Sequence, residues 1–162
     1  MRAPVPLVLL LVLLGTGCAS GGLGPAPEPS ESDTAGVLEA VFRYQLAHDL
    51  RPDAGALCLC MPADSREGGD PSAAFLGRFA AEPRPVLACS ACSVEEGRVV
   101  EKKSGRTALT FYATSIRPLL SGDVEVEGGA RSARFSSTRL RYRVVRQGAG
   151  WTVTDALGRQ VP

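Results

Sequence analysis

Five cysteines are the residues of this 162-residue chain best equipped for chemistry: Cys18, Cys58, Cys60, Cys89 and Cys92. Cys58 and Cys60 form a C-x-C pair, and Cys89 and Cys92 form C-x-x-C. Both spacings suit a four-thiolate zinc site. C-x-x-C is also the spacing of a redox dithiol, which needs a strand-to-helix context to lower its thiol pKa. Pro83 and Pro85 precede Cys89, and Ser93-Val94-Glu95 after it does not read as a strong helix, so that context is missing. The third chemistry is the plain disulfide. Acid–base equipment is sparse, because His48 is the only histidine. No patterned partner accompanies it, and it reads as the polar end of a helical stripe. Serines are plentiful but none lies in a triad context, and no metalloprotease, P-loop, dinucleotide-binding or nucleophile-elbow pattern is present. No catalytic, cofactor-binding or metal-ligating residue is therefore assigned, and the chain reads as non-enzymatic.

The charged residues form two rows. Asp123, Glu125 and Glu127 alternate with Val124 and Val126, and Arg139, Arg141 and Arg143 alternate with Leu140, Tyr142 and Val144. Alternation of period two puts each row on one face of a strand. If the two strands are antiparallel neighbours, acids lie opposite arginines and help fix register. The competing reading is an arginine ladder for an anionic ligand such as a phosphate or a glycan carboxylate. Net charge is +1, from 18 basic and 17 acidic residues, which argues against a nucleic-acid partner.

The elements that position these residues begin after an N-terminal targeting segment. Arg2 precedes an apolar run from Pro6 to Leu14, and Gly15, Thr16 and Gly17 lead into Cys18. The run is too short for a bilayer of about 30 Å, which takes roughly 20 apolar residues. It reads as a signal segment rather than a permanent span. Leu14-Gly15-Thr16-Gly17-Cys18 resembles the lipobox of bacterial lipoproteins, although Gly15 stands where Ala or Ser is commoner in that family. The resemblance implies a signal peptide over 1–17, cleavage before Cys18, and a diacylglycerol on its thiol with a further acyl chain such as palmitate on its amine. Two or more chains hold a protein on a bilayer for good, at about 0.8 kcal/mol per buried CH₂. Ala19 and Ser20 follow the cysteine where inner-membrane retention would favour Asp, so the resemblance further implies the periplasmic face of the outer membrane. A plain secretory signal cut nearby is the competing reading.

Residues 18–32 hold the lipidated cysteine and a Pro- and Gly-rich tether that cannot bury a core. A single domain is expected over 33–162. With Cys18 committed to lipid, an even set of four cysteines remains in an exported domain, which favours disulfides over zinc or redox chemistry. Three pairings are possible. Cys58 and Cys60 share a strand face about 6.6 Å apart, near the limit for a mutual bridge. Two cross-links are favoured, each joining one of Cys58/Cys60 to one of Cys89/Cys92.

Within the domain, Asp33 or Thr34 is expected to cap a helix carrying Val37, Leu38, Val41, Phe42 and Tyr44, and ending near Asp49 or Leu50 before Pro52. Leu57 to Met61 reads as a buried strand. Asp70-Pro71 predicts a second helix with Ala74, Phe75, Leu76 and Phe79 on its apolar face, ending near Ala80. From Arg98 onward strands take over, with Thr107–Ile116, Val124–Val126 and Arg139–Val145 and a last short strand beginning at Trp151–Val153. Ser104-Gly105, Ser121-Gly122-Asp123, Gly128-Gly129 and Gly148-Ala149-Gly150 read as the turns between them. Helices followed by strands predict an α+β fold, both helices packed on a curved antiparallel meander. That order resembles the cystatin-like and NTF2-like folds, and the NTF2-like resemblance implies an alternative small-ligand-binding or enzymatic function. Such a function needs a pocket between helix and sheet, near His48, Tyr44 or Tyr112. The leading expectation is a membrane-anchored envelope domain that binds or supports a protein or glycan partner.

Overall fold

The computed structural model describes residues 30–48, 53–63, 68–134 and 136–161. Cys18, the apolar segment and most of the tether lie outside the described residues. Helix α1 spans Glu31–Ala47. Ser30 caps it, accepting from the Asp33 backbone N–H at 3.2 Å while donating its hydroxyl proton to the Asp33 carboxylate at 2.7 Å. The expected cap at Asp33 or Thr34 is thus corrected: Asp33 stands three residues into the reciprocal arrangement that Ser30 opens. The helix therefore takes two residues expected of the tether. At its other end His48 replaces the expected Asp49 or Leu50 as the terminus, and its Nδ1 lies 2.8 Å from the Tyr44 carbonyl.

Strand β1 spans Ala56–Cys60 and is buried throughout, as the apolar run predicts. The second helix, α2, is only Ala73–Gly77 and is capped by Ser72, whose hydroxyl accepts from the Phe75 N–H at 3.1 Å. Asp70 does not cap it; its carboxylate instead accepts from the Ser90 N–H and hydroxyl. Two short strands, β2 (Val86–Ala88) and β3 (Cys92–Glu95), flank a single 3₁₀ turn at Cys89–Ala91. Then come β4 (Arg98–Glu101), β5 (Ala108–Pro118), β6 (Val124–Ala133), β7 (Ser136–Gln147) and β8 (Gly150–Val161). The last strand is as long as its neighbour rather than short.

The fold is α+β, with two helices and one mixed, largely antiparallel sheet of eight strands among the described residues. Strands β5 to β8 pair antiparallel in succession. The sheet is not wholly antiparallel, however, since β1 runs parallel to both β2 and β5. An apolar run such as Leu57–Cys60 carries no mark of its neighbours' direction, because burial on both faces suits either pairing.

One face of this sheet forms the main core with the helices. Val37, Leu38, Val41 and Phe42 of α1 cluster with Phe75, Phe79, Leu57, Leu59, Leu109, Phe111, Val126, Tyr142 and Val144. Phe42 and Tyr142 are both fully buried. Burying an aromatic side chain of this size contributes about 2–3 kcal/mol before entropy is counted.

Gly128 and Gly129 correct a further expectation. They lie in the middle of β6, not in a turn, opposite Leu140 and Arg139 of β7. A Cβ on Gly128 would run into the Tyr112 carbonyl and sit 3.3 Å from Gln45 Nε2; one on Gly129 would strike the Thr138 carbonyl and lie 2.9 Å from the Tyr112 hydroxyl. Glycine here allows close approach on both faces of the sheet, which a Gly-Gly pair signals as readily as a turn.

Candidate functional site

Leu57 and Leu59 of β1 point into the helical core, so the alternating Cys58 and Cys60 face the other side of the sheet. There Cys58 bonds to Cys92 and Cys60 to Cys89, with Cα–Cα separations of 6.3 and 4.6 Å. Each bridge joins one cysteine of the first pair to one of the second, as expected. They close loops with sequence separations of 34 and 29 residues, each contributing about 3 kcal/mol in the chain-entropy picture. All four sulfurs are consumed, leaving no thiolate among them for zinc or redox chemistry, and no potential metal cluster occurs among the described residues. The bridges tie the β3–β4 hairpin to the sheet, with Ala56, Val99 and Ala108 forming a small second core beneath it.

A groove of about 620 Å³ runs beside this staple. Thr110 and Arg131, cross-strand partners on β5 and β6, line it together with the Cys60–Cys89 bridge, Ser90 and Lys102. Its rim is fixed by a clamp between Asp70 and Ser90. The Ser90 backbone N–H donates to one carboxylate oxygen at 2.7 Å and its hydroxyl to the other at 2.6 Å. These bonds, the hydroxyl's first and the N–H's next, hold the Asp70 carboxyl below its ordinary range despite slight desolvation, and Lys102 adds attraction. Gly68 brings the neighbouring loop close. Its φ is +80°, and a Cβ there would sit 3.0 Å from Cys60 Cβ and 3.7 Å from Cys89 Sγ.

On the same outward side the two charged rows meet as expected: Glu125 registers with Arg143 and Glu127 with Arg141. Arg143 pairs with Asp123 at 2.6 Å, Arg117 with Glu125 at 2.5 Å, and Arg141 lies 3.6 Å from both Glu125 and Glu127. The Asp123 carboxyl is held below its usual value, first by the Arg143 hydrogen bond. These are exposed pairs, each contributing at most about 1 kcal/mol. The row ends abruptly. Gly129 stands opposite Arg139, and the next outward position on β6 is Arg131.

Of the residues expected around a helix-side pocket, His48 and Tyr44 come together but the Tyr112 side chain does not join them. His48 stacks on Tyr44 at 3.9 Å between ring centroids, on the exposed end of α1. Tyr44 in turn meets Tyr142 edge-on at 5.8 Å. Tyr112 lies on the opposite face, crossing over Gly129 to donate to the Thr138 carbonyl at 2.8 Å. Between helix and sheet sits Gln45, which is buried and was not marked by the apolar stripe. Its Nε2 donates to the Tyr142 hydroxyl at 3.0 Å and the Tyr112 carbonyl at 3.4 Å, while its Oε1 has no protein partner. Burial pushes the Tyr142 phenol up to about 12 against the Gln45 hydrogen bond, which lowers it.

Lys102, Arg131, Thr110 and the Asp70–Ser90 clamp escape a reading of the sequence alone. Their spacing follows no motif, and only Arg131 carries a trace, as the basic residue that breaks the acidic alternation of β6. Comparison with protein-family models, curated proteins and solved structures yields no match to the chain.

Proposed function

We propose that the chain is a bacterial envelope lipoprotein: an exported domain anchored to a bilayer through acylated Cys18, which binds an envelope protein or glycan partner and catalyses no reaction. The observation that supports this most is the closed pairing of Cys58, Cys60, Cys89 and Cys92. Structural disulfides belong to oxidising compartments. They also leave Cys18 as the odd cysteine, placed directly after an apolar run and small residues where a lipobox would end. Among the described residues no helix is long and apolar enough to cross a membrane. Attachment would then depend on lipid. The outer membrane, facing the periplasm, is the expected destination.

Small-ligand binding or catalysis of the NTF2-like kind draws less support, because Phe42, Phe111 and Tyr142 are buried members of one core cluster where its helix-side pocket would lie.

The test is metabolic labelling of the full chain with palmitate in a diderm bacterial host, followed by membrane fractionation. The wild-type chain takes up label and floats with membranes, and Cys18→Ser does neither. An unlabelled, soluble wild-type chain cut at another position contradicts the proposal.

A further inference from the structure

We infer that the groove beside the disulfide staple is an oxyanion site, in which Arg131 and Lys102 hold a carboxylate or phosphate group of the ligand. The inference rests on reading the chain as an exported binding domain and specifies what that domain binds. It comes from how the outward face of the sheet divides. At one end Asp123, Glu125 and Glu127 neutralise Arg117, Arg141 and Arg143. Toward the groove the acids stop: glycine occupies position 129 and arginine position 131. Among the described residues Arg131 has no carboxylate partner, and the Thr110 hydroxyl beside it makes no hydrogen bond. Asp70, the acid lining the groove, is oriented by its two bonds to Ser90 and attracts Lys102, but makes no ion pair with Arg131. The groove thus presents a planar guanidinium suited to two-point recognition, an ammonium as a compact charge, and a free hydroxyl between rigid walls. Two disulfides fix those walls, so little ordering is required when a ligand binds.

The experiment uses the full chain purified in detergent from whole cells, titrated calorimetrically with inorganic phosphate and, separately, with glutarate at constant ionic strength. Wild type binds at least one of the two anions. Arg131→Gln and Lys102→Gln each weaken that binding roughly tenfold, and Arg141→Gln leaves it unchanged. Tighter phosphate binding assigns the ligand to phosphoryl chemistry, and tighter glutarate binding to sugar or peptide carboxylates; both support the site. Absence of binding by either anion overturns it, as does equal loss in Arg131→Gln and Arg141→Gln. All three side chains are exposed, and unchanged thermal unfolding in chloride confirms that the variants fold. Cys18→Ser separates the two proposals: retained anion binding without palmitate label in either chain defeats the anchor and leaves the groove standing.

Discussion

The two faces of the sheet are held by different physics. The helical face is bound by shape: Phe42, Phe111, Tyr142 and a stripe of α1 share one buried cluster, and the buried amide of Gln45 donates to the Tyr142 hydroxyl. The opposite face has less apolar material among the described residues: Ala56, Val99 and Ala108 under the β3–β4 hairpin, with Leu87 and Cys92 packed against them. Covalent bridges, a serine–aspartate clamp and rows of opposite charge do there what packing does on the other side. The difference teaches where binding can evolve in a small domain. A packed interface leaves no room for a ligand, whereas a stapled one can stay open and keep its geometry.

Substitutions that break this contrast should rank by which face they touch. Phe42→Ala, on the packed face, is expected to cost about 3–5 kcal/mol, because the edge-on ring of Phe75 at 6.1 Å and the rest of the cluster cannot collapse into the void. Chemical denaturation of the full chain measures it, and a loss below about 1 kcal/mol would mean the helical core is looser than described. Removing the Cys60–Cys89 bridge by the double change Cys60→Ala/Cys89→Ala should cost somewhat less, about 3 kcal/mol. It should also raise hydrogen exchange in 86–102 while leaving α1 protected.

Alkaline titration sharpens the same comparison. The unfolded phenol ionises near its ordinary 10.0, and the folded Tyr142 near about 12. The folded state therefore prefers the neutral form. Its contribution is complete below pH 10 and is lost as pH rises through about 12, a total of about 2–3 kcal/mol. Gln45→Leu should move the Tyr142 transition, read by phenolate absorbance, because the amide is the phenol's hydrogen-bonding partner. An unmoved transition would remove Gln45 from that role. The smallest effect belongs to the charged rows: Glu125→Gln should destabilise by less than about 1 kcal/mol, and by less still at high salt.

How much of this was readable in advance follows from the range of each interaction. The α1 stripe, the Leu57–Met61 run and the register of acidic against basic rows are written in short periods, and each survives folding, the strand ending at Cys60 with Met61 left as an isolated bridge. The cysteine pairing was narrowed by strand geometry, which disfavours a bridge between Cys58 and Cys60. Other features depend on partners distant in sequence. Asp70-Pro71 has the local form of a helix start, yet Ser90, twenty residues on, claims both carboxylate oxygens. Gly128-Gly129 has the local form of a turn, but Gln45 and Tyr112 need its missing side chains. The parallel course of β1 leaves no local mark, and β8 extends through Ala156-Leu157-Gly158, where alternation fails. The groove belongs to this second kind: its cations come from β6 and the segment after β4, joined only by the fold.

Peptide mapping of the mature protein by mass spectrometry without reductant tests the covalent plan most directly. The expected map contains two cross-linked species, Cys58 with Cys92 and Cys60 with Cys89, and an N-terminal peptide beginning at Cys18 that carries the mass of a diacylglycerol and an acyl chain. Free thiols among the four, a cross-link to Cys18, or an unmodified N-terminus at another residue would contradict it.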